Sequence, residues 1–236
     1  MKFSCLFILL LGSLTAEDRL FVSLGGYCEV ATQLRDHELR TKAFPFDWLL
    51  TLNHEKFLDI LDDDFQFFID ESCIFQHPED QSILENKQYE CEFRHDPPVD
   101  LENGLTCHLQ EISSKYERRI DRFRQLKEYA GEVFFIRSGS LDGYVYDYPR
   151  GGPYYWWNEN QRCITTEQAK ALKMALDRFF PLLNFTLIII NYTEEREEKI
   201  DHIEDVIEFK IRKNFRTLDY SKLLHEIFNR PKPVTK

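Results

Sequence analysis

The stretch FTLIIINYT, residues 185–193, constrains the fold more than any other part of the chain. It is continuously apolar and rich in branched side chains, so it has no polar face to offer water. A strand of that kind is buried on both sides, which points to a parallel sheet covered by helices. EVFFIRS, 132–138, has the same character and follows Gly131, and RLFVSLG, 19–25, supplies a third strand. VIEFKIR, 206–212, alternates instead, as a strand with one wetter face does.

Helical spacing fills the intervals. From Cys28 to about Arg35, Val30, Ala31 and Leu34 fall on one side. Over 111–130, Ile112, Tyr116, Ile120, Phe123 and Leu126 do the same. TTEQAKALKMALDRFF, 165–180, opens on Thr166 as a capping residue and stops before Pro181, and 221–228 gives a last helix. The order predicts an α/β fold, a Rossmann-like layered domain with a mainly parallel sheet. The segment of about 40–110, with Phe-rich acidic pieces such as LDDDFQFFIDESC, reads as a helical and irregular insertion after the first strand-helix unit.

The 236 residues suffice for a single α/β domain over 17–230, followed by a loose tail at 231–236. Residues 1–16, MKFSCLFILLLGSLTA, have one Lys, a short apolar run and then small residues. That is the layout of a secretory signal peptide, so cleavage after Ala16 and a secreted or extracytoplasmic protein are expected. The run is too short for a comfortable membrane span, so no stable span is expected after cleavage. Export would leave Cys28, Cys73, Cys91, Cys107 and Cys163, an odd number. Two disulfides among the last four would leave Cys28 free, and ordinary buried thiols are the alternative. Asn184 and Asn191 open glycosylation sequons beside an apolar run where burial could block modification. A net charge of -11, spread along the chain, argues against a nucleic-acid partner, and none is expected. No close cysteine pair has zinc-ligand spacing, and neither metal nor cofactor is expected.

The stretch SLGGYCEVATQL, 23–34, carries the first candidate for chemistry. Gly25 and Gly26 follow the first strand, and a helix starts near Cys28. Free N–H groups and the dipole at such a start favour an anion, either a thiolate or a developing oxyanion. Glu29 opposes this with its own charge. The plainer alternative is a small residue packed in a turn. A nucleophilic Cys28 needs a base, and His95 in CEFRHDPPVD lies beside Asp96 in a turn-rich stretch. Asp96 or Asp47 could orient the imidazole. His37, His54, His77, His108, His202 and His225 are rivals for the role of base.

SLGGYCEVATQLRDHELRTKAFPFDWLL resembles the opening signature of a family of unknown function whose members are described as papain-like cysteine peptidases. Ser23, Leu24, Gly25, Cys28, Ala31, Leu39, Arg40, Pro45, Phe46, Asp47 and Trp48 carry the resemblance. His95 and Asp96 match the family's His-Asp motif, Tyr116, Arg118, Arg119, Ile120, Arg122 and Phe123 a helical motif, and Phe134, Phe135, Ile136 and Arg137 a strand ending in Arg. The resemblance implies a Cys–His site at Cys28 and His95, and a peptide substrate.

Three further features invite a role. Asp47 lies between aromatics, where it either orients His95 or an Arg or caps the helix that follows. Arg137 ends a buried strand, where it would hold a carboxylate or phosphate, or pair with Asp47. GYVYDYPRGGPYYWWNENQRC, 143–163, reads as a long aromatic loop whose Tyr154, Tyr155, Trp156 and Trp157 could bind sugars or extended peptides, or pack as a flap. The leading expectation is a Cys–His hydrolase acting on a peptide or amide. The alternatives are a glycan-active transferase holding a sugar nucleotide at Gly25 and Gly26, and a non-catalytic binding module.

Overall fold

The computed structural model describes residues 19–51, 53–77, 83–96, 104–139, 163–193, 199–203, 205–212 and 220–229, with backbone alone at 104–108, 193 and 212. The expected signal peptide, the tail and all of the aromatic loop before Cys163 lie outside them.

A five-stranded sheet forms the centre, in the order β1 (Arg19–Ser23), β5 (Glu132–Ser138), β6 (Phe185–Thr193), β8 (Val206–Arg212) and β7 (Lys199–Ile203). The first four run parallel and only β7 is antiparallel, against β8. The mainly parallel α/β expectation therefore holds. β1 is an edge strand among the described ones, so the sheet order does not reverse beside it.

The alternation of strand side chains sorts the core into two layers. Leu20, Val22, Val133, Phe135, Leu187 and Ile189 face one way. Against them pack helices α2 (His54–Asp62), α3 (Gly104–Arg124) and α4 (Thr166–Phe179). Phe21, Phe134, Ile136, Ile188, Ile190 and Phe209 face the other way, under α1 (Glu29–Asp36) and α5 (Ser221–Asn229). This two-sided burial is what the unbroken apolar runs require. β8 lies inside the sheet, and its part-exposed Glu208 and Lys210 account for its alternation. The cap of α4 is Thr165, not Thr166: its hydroxyl accepts from Gln168 N–H, and the Gln168 side chain accepts from Thr165 N–H.

The insertion is more regular than its sequence promised. Besides α2 it holds a three-stranded antiparallel sheet of β2 (Ile74–Gln76), β3 (Leu84–Asn86) and β4 (Cys91–Phe93). Three-residue strands are too short to show an alternating pattern. The Phe residues of this region form an aromatic bridge to the main sheet. Phe123 of α3 contacts Phe46, Phe65, Phe135 and Phe179 at centroid distances of 5.7, 5.6, 5.9 and 5.6 Å. Each such ring contributes about 1.5–3 kcal/mol through burial. The arginines of α3 clamp the same region: Arg122 donates to the Ala43 carbonyl, and Arg124 pairs with Asp64.

Cys73, Cys91 and Cys163 form no disulfide in this structure, so of the two alternatives the one without disulfides holds for them. Cys91 is fully buried in the core beneath the small sheet, whereas Cys163 is exposed beside the Tyr192 carbonyl. Asn191 is also buried. Its amide donates to the Ile164 carbonyl and to Glu208, so that sequon is occupied by the fold. Asn184 is exposed. No helix among the described residues is long and apolar enough to cross a membrane.

Candidate active site

The turn after β1 is built around two left-handed glycines. Gly25 has φ +73° and Gly26 φ +95°. A Cβ on Gly26 would lie 2.2 Å from the Ser138 carbonyl oxygen, and one on Gly25 would lie 2.8 Å from Thr51 Oγ1. The glycines are thus required by close approach to the end of β5 and to Thr51. Their N–H groups are committed as well: Gly25 donates to Ser23 Oγ at 3.2 Å and Gly26 to Thr51 Oγ1 at 3.0 Å. The expected anion cradle at Gly25 and Gly26 is therefore filled by the protein's own hydroxyls. This also removes the ground for a sugar-nucleotide phosphate there.

Beyond this turn Cys28 occupies the N-cap position of α1, with φ -69° and ψ -11°, and its carbonyl accepts from Thr32 N–H at 2.9 Å. The thiol is half-buried and free. Burial and the neighbouring Glu29 push its pKa up, while its own N–H and the Arg94 guanidinium pull the other way. Cys28 is therefore a thiol at neutral pH. Donors for an oxyanion remain in the first turn of α1, where the N–H groups of Glu29 and Val30 have no intrahelical carbonyl.

Two backbone links bring the His95 segment to this edge. Thr51 N–H donates to the Gly26 carbonyl at 3.2 Å, and Leu50 exchanges hydrogen bonds of 3.1 and 3.0 Å with Glu92 of β4. His95 follows Glu92 by three residues, in the turn that leaves β4. Its ring is exposed and rests against Trp48 at 5.3 Å between centroids, with the Arg40 guanidinium 5.3 Å over the same indole. Burial and Arg94 lower its pKa, so His95 is a neutral imidazole at neutral pH. No hydrogen bond joins Cys28 to His95 in this structure. The field of one cation, Arg94, reaches both.

The other predicted residues have different partners. Asp96 is buried, accepts from the Tyr116 hydroxyl at 3.0 Å and pairs with Lys115. Asp47 is held by Arg40 at 2.7 Å and accepts from Phe44 N–H at 3.1 Å, which caps its own turn. Both carboxylates are occupied by groups other than His95. Arg137 is a correction. It is 2% exposed and donates to the Leu24 carbonyl at 2.7 Å, to the Thr51 carbonyl at 2.5 Å and to Thr51 Oγ1 at 3.2 Å. Its guanidinium stacks 3.8 Å over Phe57. It ties the glycine turn to residue 51 from beneath, and neither binds an anion at the edge nor pairs with Asp47.

Among the rival histidines, His54 is buried near Arg137 with both ring nitrogens unpaired, and burial lowers its pKa to about 4. His225 lies against Asn229 on α5, and His202 is on β7. His37 closes α1 and His77 follows β2. The side chain of His108, and Tyr154, Tyr155, Trp156 and Trp157, lie outside the described residues. No cluster of metal-ligating side chains occurs among the described residues.

Sequence reasoning missed Arg94, Ser138 and Tyr192. Arg94 was visible beside His95, but a charged residue in a turn carries no signal by itself. Ser138 and Tyr192 end β5 and β6, and they join the site only through the parallel register.

A family model matches residues 19–142, a span holding the glycine turn, Cys28, Asp47, His95 and Arg137. An uncharacterized protein of Acanthamoeba polyphaga mimivirus is 29% identical over 140 residues, which are 52% of this chain and 63% of that protein. The chain thus aligns with less than two thirds of its relative's length. No solved structure matches the chain. Since the family model covers more than half of its length, the chain belongs to the family described as "Putative papain-like cysteine peptidase (DUF1796)".

Proposed function

We propose that the protein is a cysteine-dependent hydrolase that cleaves a peptide or amide bond, with Cys28 as nucleophile and His95 as its base. The observation that carries this reading is the pair of backbone links: Thr51 N–H to the Gly26 carbonyl and Leu50 to Glu92, which bring the Cys28 and His95 segments to one edge of the fold. The family supports the reaction class.

The charge states define the mechanism. Cys28 starts as a thiol and His95 as a neutral imidazole, so the proposed pair begins as acid and base and not as an ion pair. His95 takes the thiol proton as sulfur attacks the acyl carbon, then returns it to the leaving amine. Water attacks the resulting thioester, again with His95 as base, and releases the acid and the thiol. First-turn N–H groups of α1 receive the oxyanion. Trp48, whose ring meets the imidazole at a tilt of 56° and also carries the Arg40 guanidinium, orients His95 in place of a carboxylate.

The test uses an electrophilic peptide probe, with hydrolysis of a fluorogenic peptide library as a second readout. Cys28 is expected to be the labelled residue, and Cys28→Ser to abolish both signals. His95→Gln is expected to slow labelling near pH 7 by about 10²-fold or more. Unchanged labelling of Cys28 in His95→Gln, together with no Cys28-dependent turnover, would overturn the assignment.

A further inference from the structure

Glu29 directly follows the proposed nucleophile and occupies the first position of α1. A carboxylate there ordinarily faces water and gains from the helix dipole. This one turns inward. Its carboxyl accepts a hydrogen bond from the Tyr192 hydroxyl, which reaches it from β6, two strands away from β1. The Ser138 hydroxyl at the end of β5 is a second polar neighbour. Tyr220, at the start of α5, is fully buried with its hydroxyl unpaired, and it feels the charge on Glu29. Cys28, Ser138, Tyr192 and Tyr220 therefore surround this one carboxyl beyond the carboxyl ends of β1, β5 and β6.

We propose that Glu29 is a positioning residue of the Cys28 site: its carboxyl, held by the Tyr192 hydroxyl, sets the charge beside the thiol and so controls how readily Cys28 gives up its proton. This rests on the reading of Cys28 as nucleophile. Burial raises the pKa of Glu29 to about 8, with Ser138 pulling weakly the other way. Near neutral pH the residue is an uncharged acid, and the thiol loses its proton to His95 without a neighbouring anion. Above that range Glu29 ionises first, and its charge raises the cost of forming the thiolate. The uncharged state also keeps a negative charge away from the helix start that would receive an oxyanion. The charge that the sequence set against an active Cys28 is removed by burial.

The test follows alkylation of Cys28 by iodoacetamide, resolved by peptide mass spectrometry, from about pH 6 to about pH 10. Negligible labelling of the buried Cys91 serves as the gauge of an intact fold in every variant. The quantity read is the ratio of Glu29→Gln to wild-type rate. It is expected to be near one at about pH 6.5 and to rise to about threefold or more at about pH 9, half a pKa unit of thiol acidity. Tyr192→Phe, which removes the donor to the carboxylate, is expected to displace the rise and provides the test if Glu29→Gln does not fold. A ratio of one throughout overturns the proposal. So does a constant ratio at every pH, which is what mere loosening of the site would give. No substrate is needed, so a flat ratio with Cys28-dependent turnover sinks only the role of Glu29. A pH-dependent ratio without turnover sinks the hydrolase instead.

Discussion

Replacing Gly26 with Ala tests the turn that presents Cys28. The new Cβ would meet the Ser138 carbonyl oxygen at 2.2 Å, Ser138 Oγ at 2.6 Å and the Ser138 carbonyl carbon at 3.0 Å. Two of these are backbone atoms at the end of a central strand. Moving them strains the bond from Ser138 N–H to the Gly25 carbonyl, 3.1 Å, and the one from Tyr27 N–H to Ser138 Oγ, 3.4 Å. A φ of +95° costs a side-chain-bearing residue about 1–2 kcal/mol before any clash. Overpacking adds about 1–3 kcal/mol. The expected loss is therefore about 2–5 kcal/mol, a large part of what holds a domain of this size together. Gly25→Ala is the internal comparison. Its Cβ would meet the Thr51 hydroxyl at 2.8 Å and the Phe46 carbonyl at 3.1 Å, so a smaller loss is expected. Urea unfolding followed by far-UV circular dichroism gives both values. A Gly26→Ala loss below about 1 kcal/mol, or a Gly25→Ala variant less stable than Gly26→Ala, would refute the close-approach argument.

His54 and Arg137 give two further expectations. The His54 pKa falls from 6.5 to about 4 on folding, so the unfolded chain binds the extra proton between those values. Its contribution is complete above pH 6.5 and lost as pH falls toward 4, up to roughly 3 kcal/mol, and His54→Leu is expected to flatten that limb in urea titrations at about pH 4.5 and 7. Arg137→Ala strips the donors from the Leu24 and Thr51 carbonyls, at about 1–3 kcal/mol each, so a stability loss of about 2 kcal/mol or more is expected by the same assay. Unchanged stability with weakened substrate binding would return Arg137 to the anion-binding role that the structure denies it.

The sheet was legible because its strands break a local rule in an informative way. Unbroken apolar runs have no face to spare for water, and only a sheet covered on both sides accepts them. The bounds 132–138 and 185–193 follow from that argument, and 206–212 from alternation; all three match the structure. β2, β3 and β4 were not legible, since their register depends on partners tens of residues away and they show no period of their own. The site divides along the same line. Cys28, at a strand-helix turn, could be read from neighbours in sequence. The real work of Gly25, Gly26 and Arg137 could not. The backbone conformation was readable, but Ser138 and Thr51 fill the space that an anion would need, and they come from elsewhere in the chain. Asp47 shows the limit differently: its partner, Arg40, was in plain view seven residues away, yet spacing alone cannot distinguish capping from orientation of a histidine.

The family's name points to papain, and the architecture points elsewhere. A papain fold sets a helical lobe against an antiparallel barrel, whereas here the main sheet is parallel in all but one strand. The name therefore speaks for chemistry and not for scaffold. On this scaffold the proposed Cys28–His95 pair draws on two different parts of the fold. The parallel sheet supplies the proposed nucleophile, at the end of an edge strand where a helix start gathers free N–H groups. The antiparallel insertion supplies the histidine, which arrives on the turn after β4. Hydrogen bonds from Thr51 to Gly26 and between Leu50 and Glu92 join the two, and Arg137 secures them from below by gripping both Leu24 and Thr51. That explains why a fully buried arginine ends β5 with no carboxylate beside it. The Leu24 and Thr51 carbonyls and the Thr51 hydroxyl accept from its two terminal nitrogens, and the aromatic face of Phe57 covers its guanidinium. A carboxylate partner would neutralise Arg137 locally, whereas carbonyl partners make it a clamp between the segments of Leu24 and Thr51, which lead to the proposed site.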